Sequence, residues 1–212
     1  QIKDLTRDIL ENGETRETRT GNVISLWKAT IEHDMSDGFP AVTSKKLPWK
    51  VVVGELLLFL SGGRSVRDLK YYTFGDPDTD SWTIWTDDAE RWGGEGNEEL
   101  GHHYGVQWRD YNLSGVDQIQ NLIERLKNEP QRRDHIVMAW NPETIENNET
   151  ALKPCHLGFQ CYVTNDGKLN LNWWQRSWDV MLGAPFNLAS YGLLLHLLCE
   201  WTGYTPGILS CD

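Results

Sequence analysis

The sequence predicts a single domain of the α+β class. Its 212 residues are long for one domain and short for two. Some segments carry apolar residues at helical spacing or in continuous apolar runs, and others have the pattern of strands beside turn signals. Hydrophobic residues make up 39% of the chain, and 11 tryptophans add large buried area, so a chain of this length can bury a proper core.

Four segments predict helices. Residues 2–11 carry apolar side chains at helical spacing, and residues 116–128 show a clear amphipathic pattern. Residues 49–60, which read WKVVVGELLLFL, are too short for a membrane span and suit a buried helix. Residues 187–201 predict a second buried helix, which stops near Gly203.

The strand signals lie in the first and the last parts of the chain. Residues 22–33 hold mixed strand-like material, and residues 135–141 predict one strand. Residues 157–164 and 168–175 predict two more, joined by a hairpin turn at Asn165-Asp166-Gly167. These strands and the four helices together give the α+β prediction.

Residues 71–99 predict a long irregular excursion. This stretch is rich in Gly, Asp, Trp and Glu. Loops of that length in a single domain are often functional, so we expect it to lie beside a site.

Composition excludes several classes of protein. A net charge of −11 argues against non-specific nucleic-acid binding, although a few arginines can still hold a small anion. No apolar run reaches membrane-spanning length and no signal-peptide pattern opens the chain, so we expect a cytoplasmic protein with reduced thiols. No CxxC pair occurs among the cysteines, so we expect no metal site. The cysteines are Cys155, Cys161, Cys199 and Cys211.

Cys155 is the candidate nucleophile, because it stands between Pro154 and His156. A thiol near neutral pH needs a lowered pKa to attack, and a nearby Arg or His can provide it. The alternative is a buried structural cysteine. Cys161 and Cys199 lie within apolar strand and helix patterns, and for them the structural interpretation holds.

Glu55 lies in the middle of an apolar helix. A carboxylate in such surroundings is unfavourable unless it is paired or functional, and burial raises its pKa and suits it for a proton relay. The alternative is that it occupies the one exposed stripe of the helix.

Several arginine, serine and asparagine side chains could bind an anion or the edge of a nucleotide base. Arg176 and Ser177 end a predicted strand and combine a guanidinium fork with a hydroxyl, which suits a phosphate. Arg132 and Arg133 lie in a turn, where a solvated charge pair is the usual interpretation. Asn187 opens the last helix, where it is either an N-cap or an amide that reads a base edge.

These residues belong to a longer series of motifs, and with them the chain resembles the thymidylate synthase family. The series spans nearly the whole chain in order, and its GFPAVTSKKL stretch resembles the bacteriophage branch. The motifs are Arg19-Thr20-Gly21, Asp37-Gly38-Phe39-Pro40, Glu55-Leu56-Leu57, Leu100-Gly101, Tyr104-Gly105, Gln107-Trp108-Arg109, Ala139-Trp140-Asn141, Pro154-Cys155-His156, Gln175-Arg176-Ser177, Leu182-Gly183 and Asn187-Leu188-Ala189-Ser190-Tyr191.

The resemblance implies a layered α+β fold whose large mixed β-sheet forms the interface of a symmetric homodimer. It also implies transfer of a one-carbon unit from 5,10-methylenetetrahydrofolate to C5 of dUMP, the two small-molecule partners, without a metal. Cys155 would add to C6 of the pyrimidine ring. Glu55 would relay protons, and Tyr104 and His156 would belong to the same polar network.

The resemblance further implies the binding residues. Asn187 would read N3 and O4 of uracil, and Trp85, Asp179 and Gly183 would contact the folate. The 5′-phosphate would be held by Arg19, Gln175, Arg176 and Ser177, with Arg132 or Arg133 of the neighbouring subunit.

Three departures from the family pattern keep alternatives open. Asp134 follows Arg132-Arg133 where the family has an apolar strand, so the arginine pair is shifted by one residue or one arginine is lost. Thr86 follows Trp85 where an Asp is usual, and Trp178 stands where the family has a small residue. The last two fall where folate would bind, and they allow a dUMP hydroxymethylase that makes 5-hydroxymethyl-dUMP for modified phage DNA. A non-catalytic nucleotide- or RNA-binding homologue is the third hypothesis. If the chain is phage-encoded, it would act in the host cytoplasm.

The end of the chain carries a further expectation. After Pro206-Gly207 the family continues into a His-x-Tyr motif and a C-terminal lid, which residues 1–212 do not contain. We therefore expect one catalytic domain without the C-terminal part of the family fold, and an open or incomplete site.

Overall fold

The computed structural model describes residues 1–18 and 21–212. In this part of the chain, strands and helices occur in runs rather than in regular βαβ alternation, as expected for the α+β class. The helices are α1 (Ile2–Asn12), α2 (Trp49–Ser61), α3 (Val66–Phe74), α4 (Ile84–Gly93), α5 (Tyr104–Arg109), α6 (Gln118–Asn128), α7 (Pro142–Glu146) and α8 (Ala184–Thr202). The strands are β1 (Glu14–Thr18), β2 (Gly21–Ser25), β3 (Ile31–Asp34), β4 (Ile136–Met138), β5 (His156–Val163), β6 (Lys168–Gln175) and β7 (Thr205–Cys211).

A five-stranded mixed sheet organises the molecule. Its strand order is β3-β7-β6-β5-β4, and β1 and β2 form a separate hairpin. The β6–β7 pair is parallel, and the other pairs of the sheet are antiparallel. The predicted α+β class and its mixed sheet are confirmed.

The two faces of the sheet differ in polarity. Leu169, Leu171 and Trp173 of β6 point into the core and are fully buried, and α8 packs against β6 and β7. On the other face Asn172 lies in register between Gln160 of β5 and Ser210 of β7, whose hydroxyl donates to the Asn172 amide oxygen at 2.7 Å. The core therefore lies between the sheet and the apolar helices.

The four predicted helices correspond to α1, α2, α6 and α8. Helix α8 begins at Ala184, three residues before the predicted start, because Pro185 suits the first turn of a helix. The predicted turn at Asn165-Asp166-Gly167 joins β5 to β6, and Gly167 has a φ of 80°. No described helix is long and apolar enough to cross a membrane.

The prediction of an irregular excursion over residues 71–99 is wrong. The stretch contains the end of α3 and the whole of α4. Each helix begins with a capping box: Ser65 with Asp68 for α3, and Thr83 with Thr86 for α4. Such boxes satisfy the free backbone N–H groups of a first turn, and they stabilise helices in spite of a polar, glycine-rich composition.

Strand β7 was not predicted. It contains Pro206 and Gly207, residues that normally argue against a strand. Gly207 is required by close packing, because a Cβ at this position would lie 2.1 Å from Oδ1 of Asn170 on β6. The same oxygen accepts the backbone N–H of Ile208 at 2.8 Å, in place of a regular ladder bond.

Candidate active site

The Cys155 segment is anchored by a buried tyrosine. Tyr104 opens α5, and its Oη accepts the backbone N–H groups of Cys155 at 2.7 Å and of His156 at 3.3 Å. Burial raises the pKa of Tyr104 above its usual range, so the phenol stays protonated. Because both hydrogen bonds are accepted by the oxygen, the O–H remains available as a donor.

Arg176 holds the other side of this segment. Its Nε donates to the carbonyl of Pro154 at 2.8 Å, and its Nη2 donates to the carbonyl of Lys153 at 3.0 Å. Its backbone N–H donates to the carbonyl of Cys155 at 2.9 Å, and its guanidinium lies 5.7 Å from the centre of the Trp140 ring. The positive charge is therefore fixed beside the only cysteine of the four that is not buried.

The pKa of the Cys155 thiol is raised by partial burial. The charge of Arg176 acts in the opposite direction and favours the thiolate, whereas the charge of Asp88 disfavours it. Asp88 was not selected from the sequence. Its position three residues after Trp85 on α4 could have indicated it, since residues at that spacing share one face of a helix.

Glu55 is paired with Trp85 across two helices. The indole N–H of the buried Trp85 donates to Oε1 of Glu55 at 2.8 Å. Burial raises the pKa of Glu55, and the indole hydrogen bond partly offsets the effect. Phe59 packs against both Trp85 and Tyr104, with its ring centre 6.1 Å from the first and 4.8 Å from the second. A carboxyl that is protonated more readily than usual therefore lies in the same cluster as the tyrosine.

Asn187 is not an N-cap. It lies in the first turn of α8, and its backbone N–H donates to the carbonyl of Gly183. Its side-chain oxygen accepts from Nε1 of Trp178 at 2.9 Å and from Nε2 of Gln175 at 3.3 Å. Beside it, burial lowers the pKa of His156 to about 4, against the effect of the Asn187 amide, so this imidazole is neutral near pH 7.

The segment between Arg176 and α8 is a tight turn. Oδ1 of Asp179 accepts the N–H groups of Met181 at 2.9 Å and Leu182 at 2.7 Å, and the Asp179 carbonyl accepts that of Gly183 at 2.9 Å. A Cβ on Gly183 would lie 3.2 Å from that carbonyl oxygen. Ser177 is exposed at the start of the turn. The turn therefore orders Asp179 and Gly183 next to the Asn187 amide.

The two arginines after α6 differ. Arg132 pairs with the carboxylates of Glu129 at 3.2 Å and Asp134 at 2.6 Å, so its charge is neutralised locally. Arg133 is exposed and pairs with no carboxylate of the described residues, while its backbone carbonyl accepts from Nε2 of Gln160 on the polar face of the sheet. Arg19 lies outside the described residues.

The described residues contain no cluster of three or more His, Cys, Asp or Glu side chains that could hold a metal ion. What they bring together is a partly exposed thiol, a fixed guanidinium, a phenol donor, a carboxyl of raised pKa and an ordered amide. This set of groups is suited to covalent attack on a planar, anionic substrate. The fold and the site thus define an α+β protein with a candidate cysteine nucleophile.

Comparison with known proteins agrees with that class. A family model described as thymidylate synthase matches residues 1–211. The probable thymidylate synthase of Escherichia phage T5 is 51% identical over 212 residues, which cover 98% of this chain and 74% of that protein. The thymidylate synthase of Enterobacteria phage T4 is 44% identical over 213 residues, covering 99% of this chain and 72% of that one.

A solved structure agrees as well. The crystal structure of thymidylate synthase from T4 phage superposes with a TM-score of 0.91 at 44% identity, covering 100% of this chain and 73% of that chain. The chain belongs to the thymidylate synthase family, a family of transferases. The resemblance stated from the motifs is confirmed.

Proposed function

We propose that this protein transfers the one-carbon unit of 5,10-methylenetetrahydrofolate to C5 of dUMP and forms dTMP. The observation that carries this proposal is the Cys155 thiol, whose backbone segment is held by Tyr104 and Arg176 in a chain of the thymidylate synthase family. The T5 and T4 phage relatives carry the thymidylate synthase name over nearly the whole of this chain.

The chemistry starts with the thiolate. Cys155 forms a bond from Sγ to C6 of the uracil ring, which makes C5 a carbon nucleophile. Glu55, with its raised pKa, holds a proton near the base, and the Tyr104 O–H, whose oxygen accepts the backbone N–H of Cys155, is free to donate a hydrogen bond to the substrate. His156 stays neutral and supports the network without adding charge. C5 would then bond to the one-carbon unit, and loss of the C5 proton to a base would release the folate amine. Hydride addition to the resulting exocyclic carbon would restore the ring double bond and expel the Cys155 thiolate.

Folate supplies the one-carbon unit and the reducing equivalent when it is bound. The described residues fit a flat, partly apolar group, because Met181 and Leu182 are 61% and 65% exposed in the turn beside Asp179 and Gly183. Such exposed apolar side chains in a site commonly contact a ligand. Trp85 contributes to the site indirectly, because its indole N–H orients the carboxyl group of Glu55.

The phosphate of dUMP is assigned to Arg176 and Ser177, with Arg19 and the supporting Gln175. Two nitrogens of Arg176 already donate to carbonyls, which fixes the guanidinium and leaves its remaining N–H groups for a phosphate oxygen. Gln175 donates to the Ser177 carbonyl at 3.0 Å and so orders the adjacent hydroxyl.

The second cationic contact is assigned to Arg133 of a neighbouring subunit in a homodimer. Arg132 is held by Glu129 and Asp134, whereas Arg133 has no carboxylate partner among the described residues and lies beside the polar face of the sheet. That face, which carries Gln160 and Asn172, is the surface assigned to the dimer interface.

Subunit complementation tests the dimer. Cys155→Ala and Arg133→Ala proteins should each be inactive, and mixing them should restore activity at about a quarter of the sites, because half of the dimers then contain one intact site. Arg132→Ala is the matched control and should stay active alone. A lack of restoration, or a monomer by light scattering, would refute this arrangement.

Thr86 and Trp178, the two departures that suggested a hydroxymethylase, each have a structural role that does not involve folate. Oγ1 of Thr86 takes part in the capping box of α4 with Thr83, at 3.0 Å from the Thr83 hydroxyl. Trp178 donates to Asn187 and packs edge-on against Trp173. The relatives named thymidylate synthase favour methyl transfer. Because those relatives are phage proteins, we assign the activity to the cytoplasm of an infected host.

Product analysis tests the proposed function. The protein, dUMP and 5,10-methylenetetrahydrofolate should yield dTMP and dihydrofolate, identified by mass spectrometry. Cys155→Ser should abolish turnover, whereas Cys199→Ala, a change at a buried thiol of α8, should preserve it. Formation of 5-hydroxymethyl-dUMP with tetrahydrofolate would select the hydroxymethylase instead, and no product from the wild-type protein would leave a binding homologue.

A further inference from the structure

The side-chain amides of Gln175 and Asn187 form a hydrogen-bonded series, and their hydrogen bonds fix which end of each amide is the oxygen. An indole N–H can only donate, so Nε1 of Trp173 at 2.8 Å identifies the acceptor end of Gln175 as Oε1. Nε2 of Gln175 then donates to the carbonyl of Ser177 and towards Oδ1 of Asn187. Nε1 of Trp178 donates to that same Oδ1 at 2.9 Å. The series therefore begins and ends at the indole N–H groups of Trp173 and Trp178, which can only donate.

This order matters because a free asparagine amide does not distinguish the two pyrimidines. Uracil presents a donor at N3 and an acceptor at O4, whereas cytosine presents an acceptor at N3 and a donor at its 4-amino group. A half-turn of the amide makes it complementary to either base. Selectivity therefore requires a second group that prevents the half-turn.

Trp178 is placed to be that group. A flipped Asn187 would direct Nδ2 against the N–H of Trp178 and the N–H of Gln175, so donors would face donors and two partly buried hydrogen bonds would be lost. The indole is itself held, because its ring lies 6.0 Å from Trp173 at an interplanar angle of 90°. Trp173 is fully buried and stacks on Tyr191 at 4.6 Å, so the support is part of the core.

We propose that Trp178 is a specificity-determining residue whose indole N–H fixes the amide of Asn187 in the orientation that accepts uracil and rejects cytosine. The proposal rests on the proposed function, in which Asn187 reads the base. Trp178 positions Asn187 and does not itself contact the reacting atoms.

The test is Trp178→Phe, which removes the N–H and keeps an aromatic ring against Trp173. Dissociation constants for dUMP and dCMP are measured by calorimetry, and kcat/KM is measured for both nucleotides. The preference for dUMP over dCMP should fall by roughly 10-fold, the equivalent of one partly buried hydrogen bond, with most of the change arising from tighter dCMP binding. Trp201→Phe, near the other end of α8, is the matched control and should leave the ratio unchanged.

The possible outcomes separate the two claims. Equal weakening of both nucleotides by Trp178→Phe would show that the ring only packs, and would overturn the proposal. A wild-type protein that binds neither nucleotide would overturn the proposed function itself. If circular dichroism shows that Trp178→Phe does not fold, Trp178→Leu replaces it, because its apolar side chain likewise has no N–H to donate to Oδ1. The dUMP preference must then fall as well, and an unchanged preference would refute the proposal.

Discussion

The reactivity of the Cys155 thiol depends on three influences. Partial burial raises its pKa, the charge of Arg176 lowers it, and the charge of Asp88 raises it. The thiolate is the reacting species, so the two charges act on the rate in opposite directions. The structure contains both charges at fixed positions, since Arg176 is tied to two carbonyls and Asp88 is paired with Arg91.

Alkylation of Cys155 by iodoacetamide near neutral pH measures that balance. Arg176→Gln removes the stabilising charge, which raises the pKa of the thiol, and the rate should fall by roughly 10-fold. Asp88→Asn removes the opposing charge and should increase the rate. Arg176→Lys should fall between wild type and Gln, and Asp87→Asn, on the neighbouring acid that binds Trp82, should change nothing. A faster reaction in Arg176→Gln would contradict this account.

The sequence indicated most of the residues that the structure brings together, and the reason is chemical. Cys155, Arg176 and Asn187 belong to motifs whose residue types are matched to a reaction, so short patterns expose them. Asp88 acts through its charge at a distance, and its only signal in the sequence is its spacing of three residues from Trp85. Trp178 was recognised as a departure, but its partner Asn187 is nine residues away and became apparent only in the structure.

Helix α2 places Glu55 through a close contact with α3. A Cβ added at Gly54 would lie 2.1 Å from Oγ1 of Thr73 and 2.9 Å from its Cα, so the two helices meet at backbone distance. Glu55 is the next residue, and its carboxylate depends on the same placement to reach Trp85. The glycine thus supports the site through packing.

Gly54→Ala should therefore force the two helices apart. We expect a loss of about 1–3 kcal/mol in the free energy of unfolding, typical of overpacking, together with reduced turnover. Urea denaturation and the product assay measure the two effects. Thr73→Ala should not rescue Gly54→Ala, because the contact with the Thr73 backbone remains. Full stability in Gly54→Ala would show that the helices are free to move.

The predicted helices that the structure confirms are those whose sequences carry a periodic or continuous apolar signal. Helices α2 and α8 bury long apolar runs, and their patterns are unmistakable. Helix α4 is short and polar, and its main signal in a glycine-rich stretch is the capping box that starts at Thr83. Strand β7 depends on pairing with β6, a long-range contact that outweighs the intrinsic preferences of Pro206 and Gly207.

The molecule as a whole carries two histidines that the fold keeps neutral. Burial lowers the pKa of His103 and of His156 to about 4, against 6.5 as the ordinary value. In the unfolded chain both would take up protons as the pH falls below 6.5, whereas the folded chain takes them up only near 4. The unfolded state binds more protons in that window, so acid destabilises the fold there.

Urea unfolding between pH 7 and pH 4.5 measures this effect. The free energy of unfolding should fall as the pH drops below 6.5, with a slope of at most about 1.4 kcal/mol per pH unit for each histidine. The raised pKa of Glu55 acts in the opposite sense and reduces the net slope. His103→Gln should reduce the slope further. A stability that stayed constant over this range in wild type would be inconsistent with buried neutral histidines.

The sheet, the capped helices and the aromatic cluster hold the Cys155 segment beside the Arg176 guanidinium, and we propose that Cys155 attacks the pyrimidine. 5-Fluoro-dUMP with 5,10-methylenetetrahydrofolate arrests the reaction after that attack, because the fluorine at C5 cannot leave as a proton does. Peptide mass spectrometry of the trapped protein should find the nucleotide and the folate on the peptide that contains Cys155, and nowhere on Cys161, Cys199 or Cys211. An adduct on one of those three, with Cys155 unmodified, would contradict the account.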